Sequence, residues 1–194
     1  MKSVVLLGSI LLLSACGSMQ SQVVKKNVAF DPDSQAQIRS YGSYGSDLIR
    51  IYPETDCAKW EGTKRNAVNR RFVNGLPRKV RNISIGIPPT ELSRKTEKDT
   101  GFVFRDSYRE MAVSANQPVV LDGAFSSQTR NQHYSCRVAA SFTPKAGEAY
   151  EVRYLSEEEG CDIEVYHIGH EEKDGVRQTK KLTANYCAKP GTSF

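Results

Sequence analysis

From about residue 28 to residue 190 the chain alternates apolar and polar positions with a period of two. Ile49 and Ile51 alternate with Leu48, Arg50 and Tyr52, and Ile83, Ile85 and Ile87 with Asn82, Ser84 and Gly86. Tyr134, Cys136, Val138, Ala140 and Phe142 share one face; Ser135, Arg137, Ala139 and Ser141 share the other. The same alternation runs through Tyr150, Val152 and Tyr154 and through Cys161, Ile163, Val165 and His167. Successive side chains of a strand point to opposite faces, so this pattern predicts half-buried antiparallel strands. Turn residues punctuate them at Tyr41-Gly42-Ser43, Thr143 to Gly147, Glu159-Gly160 and Lys173-Asp174-Gly175. Residues 133–168 read as a three-stranded meander, and the whole as an all-β, antiparallel β-sandwich. Residues 58–79 and 88–100 break the period. They read as two long irregular surface loops, the second with a short helical turn after Thr90. Binding residues commonly sit on such loops.

The first fifteen residues differ, with ten of them apolar. Lys2 is followed by an apolar run from Val4 to Leu13. That run is shorter than the ~20 residues a membrane-spanning helix needs and has the form of a secretory signal peptide. It ends in Leu13-Ser14-Ala15-Cys16, which resembles the lipobox of bacterial lipoproteins. The resemblance implies that the Cys16 thiol receives a diacylglyceryl group and that residues 1–15 are removed. Two or three acyl chains, at ~0.8 kcal/mol per buried CH₂, make an almost permanent anchor. Gly17, rather than the Asp that retains such proteins at the inner membrane, implies transport to the outer membrane. Gly17 to Asn27 is mostly small and polar and reads as a flexible tether, with Val23 and Val24 offering the alternative start of a strand. The expected organisation is a signal peptide (1–15), the lipidated cysteine with its tether (16–28) and a sandwich domain (29–194).

Two passages, Phe142 to Tyr154 followed by Cys161 and Tyr108 to Pro118, resemble small envelope lipoproteins. Those proteins carry sandwiches like transthyretin or carboxypeptidase-regulatory domains. This resemblance implies a fold and no catalytic residues.

Setting Cys16 aside leaves Cys57, Cys136, Cys161 and Cys187. A secreted location is oxidising, so four cysteines read as two disulfides with three possible connectivities. The favoured pairing is Cys57–Cys136 with Cys161–Cys187. No C-x-x-C is present, which argues against a structural zinc site or a redox pair.

The formal net charge of +5 conceals two opposed runs. Lys59, Lys64, Arg65, Arg70, Arg71, Arg78, Lys79 and Arg81 stand against Glu61 alone, with Trp60 and Phe72 interleaved. Eight anions between Glu157 and Asp174 stand against Lys173 alone. One reading makes these solvated segments that attract each other. The other makes the basic loop a docking surface, with Lys64, Arg65, Arg70 and Arg71 meeting an anionic envelope component or an envelope protein. Lipopolysaccharide phosphates, peptidoglycan carboxylates or an acidic protein would fit. Nucleic acid does not suit that compartment.

His167 and His170 with Glu171 and Glu172 suggest a metal cluster. Residues three apart on a strand face opposite ways, so only a bend before Lys173-Asp174-Gly175 would unite them. There is no Gly-x-Ser-x-Gly elbow, phosphate loop or His-Glu-x-x-His. The expectation is therefore a lipid-anchored, non-catalytic binding module without cofactor or metal. The alternatives are an accessory subunit of an outer-membrane complex and a metal-dependent enzyme.

Overall fold

A computed structural model describes residues 23–42, 48–62, 66–68, 72–73, 76–77, 81–99, 106–128, 130, 133–157 and 160–191. Its strands begin with β1 (Val23–Lys25), β2 (Gln35–Gly42), β3 (Leu48–Tyr52), β4 (Asn66–Val68), β5 (Phe72–Val73), β6 (Leu76–Pro77) and β7 (Asn82–Ser84). They continue after helix α1 (Glu91–Lys98) with β8 (Ser107–Ser114), β9 (Val119–Gln128), β10 (His133–Phe142) and β11 (Ala149–Glu157). The last three are β12 (Gly160–Lys173), β13 (Val176–Leu182) and β14 (Asn185–Gly191).

The strands form an all-β sandwich. One sheet has the order β1-β7-β8-β2-β11-β12-β13, the other β14-β10-β9-β3-β4, and β5 and β6 pair apart. The alternation seen along the chain explains the layering. Ala36 and Ile38 on β2, Leu121 on β9, Val138 and Ala140 on β10, and Val152 and Val165 on β11 and β12 are fully buried between the sheets. Most pairings are antiparallel, but β1–β7, β7–β8 and β2–β11 run parallel.

The predicted strands within 133–168 are present, but they do not form a meander. β10 pairs with β9 and β14 in one sheet, whereas β11 and β12 form a hairpin in the other. The Thr143 to Glu148 connection crosses between layers. Both strands carry one apolar face, and alternation marks the inward face without saying which sheet supplies it. The helical turn expected after Thr90 is present and extends to the eight residues of α1, so 88–100 is not an irregular loop, and the expected loop 58–79 holds the short strands β4, β5 and β6. Val23–Lys25, inside the expected tether, forms an edge strand whose partner is β7.

The disulfides correct the favoured pairing: they are Cys57–Cys187 and Cys136–Cys161. Cys136 on β10 and Cys161 on β12 project inward from opposite sheets, with Cα atoms 6.0 Å apart. Cys57 follows β3 and meets Cys187 on β14, with Cα atoms 4.8 Å apart. Treating β10 to β12 as one sheet had hidden the face-to-face position of Cys136 and Cys161.

Gly123 on β9 shows how closely the layers approach. A Cβ there would lie 2.3 Å from the Tyr154 ring, whose hydroxyl donates to the Cys136 carbonyl at 3.1 Å. Gly123→Ala should therefore destabilise the domain by ~1–3 kcal/mol through overpacking. Thermal melts of the two proteins side by side check this, and an unchanged midpoint would refute the close approach.

Candidate functional site

The polar faces of three neighbouring strands build a buried cluster on the outside of the seven-stranded sheet. Arg39 on β2 lies between Glu110 on β8 and Glu151 on β11, its Cα partners in register. Alternation makes these positions look solvent-facing, yet Arg39 is 1%, Glu110 3% and Glu151 3% exposed. The segment 84–98 covers them.

Arg39 uses its whole guanidinium. Nε donates to Glu110 Oε1 at 2.9 Å and one terminal nitrogen to Glu151 Oε1 at 3.0 Å. The other donates to the Ile87 and Pro88 carbonyls at 2.8 and 3.0 Å. Glu110 Oε2 accepts from the Ser84 hydroxyl and from the successive N–H groups of Ile85, Gly86 and Ile87 at 2.7–3.1 Å. Such a run of amides is an anion nest, here filled by the protein's own carboxylate. Glu151 Oε1 also accepts from Tyr41 Oη at 2.5 Å and from the Thr90 hydroxyl. One cation and two carboxylates leave a buried excess of negative charge, which these neutral donors offset. Burial opposes the Arg39 charge, but the charges of its partners outweigh it and raise its pKa further. Burial, then the Glu151 charge, raises the Tyr41 pKa, so its hydroxyl remains a donor.

The cluster positions α1. Thr90 is the N-cap: its Oγ1 accepts the Ser93 N–H at 3.2 Å, while Ser93 Oγ accepts the Thr90 N–H at 2.9 Å. The same Thr90 hydroxyl donates to Glu151, which ties the helix start to the ion cluster. Beside it the Arg177 N–H donates to the Pro89 carbonyl at 2.8 Å, joining the helix entry to β13.

A groove of about 960 Å³ opens between α1 and the β12–β13 hairpin. Arg94, Lys95 and Lys98 line one wall; Arg153, Tyr166 and Arg177 line the other side and floor. The hairpin wall owes its shape to Asp174 and Gly175, both at positive φ (53° and 75°), where the predicted turn falls. Arg153 is engaged: it lies over the Tyr166 ring at 4.9 Å and bonds Glu164 at 2.5 Å and the Tyr166 hydroxyl at 2.6 Å. Lys95 and Lys98 are exposed, and no carboxylate among the described residues pairs with either. Glu91, Glu151 and Asp174 also line the groove, but five cations outnumber these three carboxylates, so it offers net positive charge beside an aromatic ring. That arrangement suits an anionic ligand.

Several sequence candidates stand elsewhere. Cys16, Lys64, Arg65, Arg70 and Arg71 lie outside the described residues. Trp60, expected among the docking cations, is buried at 4% exposure. It packs edge-on against Tyr52, with Arg137 4.9 Å above its ring, and so belongs to a small second core. The acidic run is partly spent on structure, since Glu164 also pairs with Lys181 at 2.6 Å.

The two histidines do turn towards one carboxylate. The β12–β13 register shifts between Ile168 and Glu172, and this irregularity overrides simple alternation. His167 Nε2 lies 2.5 Å and His170 Nε2 3.8 Å from Glu148 Oε2. The His167 hydrogen bond holds the Glu148 carboxyl below its usual range. Glu171 and Glu172 stay exposed, and among the described residues no three His, Cys, Asp or Glu side chains are placed to hold a metal ion.

The helix start at Thr90 was legible in the sequence, but a single turn in a long loop does not bring Arg94, Lys95 and Lys98 together, as the full two turns of α1 do. Comparison with protein-family models, with curated proteins and with solved structures finds no match for this chain.

Proposed function

We propose that this protein is a lipid-anchored lipoprotein of the outer membrane, joined to the bilayer through Cys16, that acts as a non-catalytic binding module for an anionic envelope polymer. The observation that carries the binding reading is the groove between α1 and β12–β13, with Lys95 and Lys98 unpaired among the described residues. The Leu13-Ser14-Ala15-Cys16 motif and an oxidised sandwich with two disulfides support an envelope address. A rigid groove on a lipid-held domain would grip a polymer close to the membrane.

Co-sedimentation with purified peptidoglycan and with lipopolysaccharide tests this. Binding at low salt should weaken as salt rises, because exposed charges are screened. Lys95→Glu/Lys98→Glu should weaken it roughly tenfold, as expected when two exposed attractions become repulsions. No retention on either polymer at low salt would sink the binding reading. A membrane-bound Cys16→Ser variant would sink the anchor.

A second reading, an accessory subunit of an outer-membrane protein complex, draws support from edge strand β14, where Tyr186 is 49% exposed. One dominant cross-linked protein partner at Tyr186 in intact cells would favour it.

A further inference from the structure

The two sheets are unequal. Among the described residues, sheet-to-sheet packing runs mainly through β2, β11 and β12, so the inner face of the larger sheet continues past it from β8, where Val113 and Met111 still touch the core, to β7 and β1. Met111 lies opposite core-facing Ile38, and Ile83 opposite Arg109, which puts Met111, Arg109 and Ile83 on this inner face. With Lys26, Val28 and Ile85 they line a shallow groove of about 560 Å³ along β8, to which Gln35, Glu110 and Ala112 of the other strand phase also contribute. Val28 is 42% exposed, one of two large hydrophobic residues left open among those described. Neither Lys26 nor Arg109 pairs with a carboxylate among the described residues. The carboxylate of Glu110, which also lines the groove, is consumed by Arg39 and the 85–87 amides.

The geometry points to this shelf as the surface that rests on the bilayer, with anionic phospholipid headgroups as its occupant. The inference rests on the lipoprotein reading. Only residues 17–22 separate Cys16 from β1. At ~3.6 Å per extended residue, Cys16 lies within ~25 Å of Val23. β1 lies on the outer edge of the overhang, so the shelf is the part of the domain leashed nearest the lipid. An apolar floor with two cations unpaired among the described residues matches the membrane interface: apolar side chains enter the headgroup boundary while cations meet lipid phosphates. A peptide partner would find little here, since β1 is a three-residue strand and offers scant edge to pair with. The α1 groove, on the opposite face of the same sheet, is left clear for a polymer.

The test uses the chain from Gly17 onward, which holds every described element and lacks the Cys16 thiol. It is sedimented with vesicles of phosphatidylglycerol and phosphatidylethanolamine, and with vesicles of phosphatidylcholine alone. At low salt it should pellet with the anionic vesicles and stay in solution with the neutral ones. Lys26→Glu/Arg109→Glu should lower the bound fraction roughly tenfold, with an unchanged urea midpoint, whereas the charge-matched Lys145→Glu/Lys180→Glu, at two exposed lysines that line neither groove, should leave it largely intact. No preference for anionic vesicles overturns the inference. So does binding that survives Lys26→Glu/Arg109→Glu, or that is lost equally in Lys145→Glu/Lys180→Glu. Mass analysis of the N-terminal peptide from the full chain tests the anchor separately: an unmodified Cys16 defeats the lipoprotein reading and leaves the vesicle result standing.

Discussion

Arg39→Ala is expected to cost the domain about 3–5 kcal/mol, the loss typical when one partner of a buried ion cluster is removed. Glu110 and Glu151 would remain at 3% exposure each with no countercharge. The Ile87 and Pro88 carbonyls would lose their donor as well. With a urea slope of ~2 kcal/mol/M, the unfolding midpoint should fall by roughly 1.5–2.5 M. A fall below about 0.5 M would mean that the cluster does not hold the fold. Arg39→Lys keeps the charge but offers three donors on a point-like head rather than a planar fork, so it should recover only part of the loss. Replacing the carboxylates too should not restore stability fully, because removing Glu110 orphans the amides of Ile85, Gly86 and Ile87. Since Thr90 and the segment before it hang on this cluster, Arg39→Ala should also abolish anion binding in the α1 groove.

The second large effect belongs to the inter-sheet disulfide. Cys136 and Cys161 are 25 residues apart in the chain, so their link removes ~3.5 kcal/mol of unfolded-state freedom in the chain-entropy model. Cys136→Ala/Cys161→Ala should lower the melting temperature by roughly 7–14 °C, at ~2–4 °C per kcal/mol for a domain of this size. Cys57–Cys187 spans 130 residues and removes ~5 kcal/mol in the same model. Its loss should act differently, because β14 is an edge strand whose one ladder partner among the described residues is β10. In Cys57→Ala/Cys187→Ala the amides of β14 should exchange early by local opening, ahead of global unfolding. Near-UV circular dichroism melts and hydrogen exchange on the two oxidised variants distinguish these behaviours. An unaltered melt in Cys136→Ala/Cys161→Ala would contradict the first assignment, and unaltered β14 exchange in the other variant the second.

The class of fold was legible because strand alternation is a local property. The faces predicted for residues 134–142 and for 150, 152 and 154 are those that point inward. Sheet membership was not legible, since a strand with one apolar face fits either layer, and the disulfide pairing inherited that ambiguity. The site was less visible still. Arg39, Glu110 and Glu151 occupy the polar phase of their strands, and nothing local reveals that residues 84–98 fold over them. The cations Arg94, Lys95 and Lys98 are only three among a mixed-charge stretch, so in sequence they are less conspicuous than the denser run from Lys59 to Arg81.

The parallel pairing of β2 with β11 carries a consequence for how this chain acquires its shape. Arg39 and Glu151, neighbours there, are 112 residues apart in sequence. The central ladder of the larger sheet cannot close until most of the polypeptide is available, and long-range pairing of this kind is slow. Early strands must therefore wait with open edges while the chain emerges. Assembly of this domain should be a late, closure-limited event, one that a delay in releasing the C-terminal third would hold up almost completely.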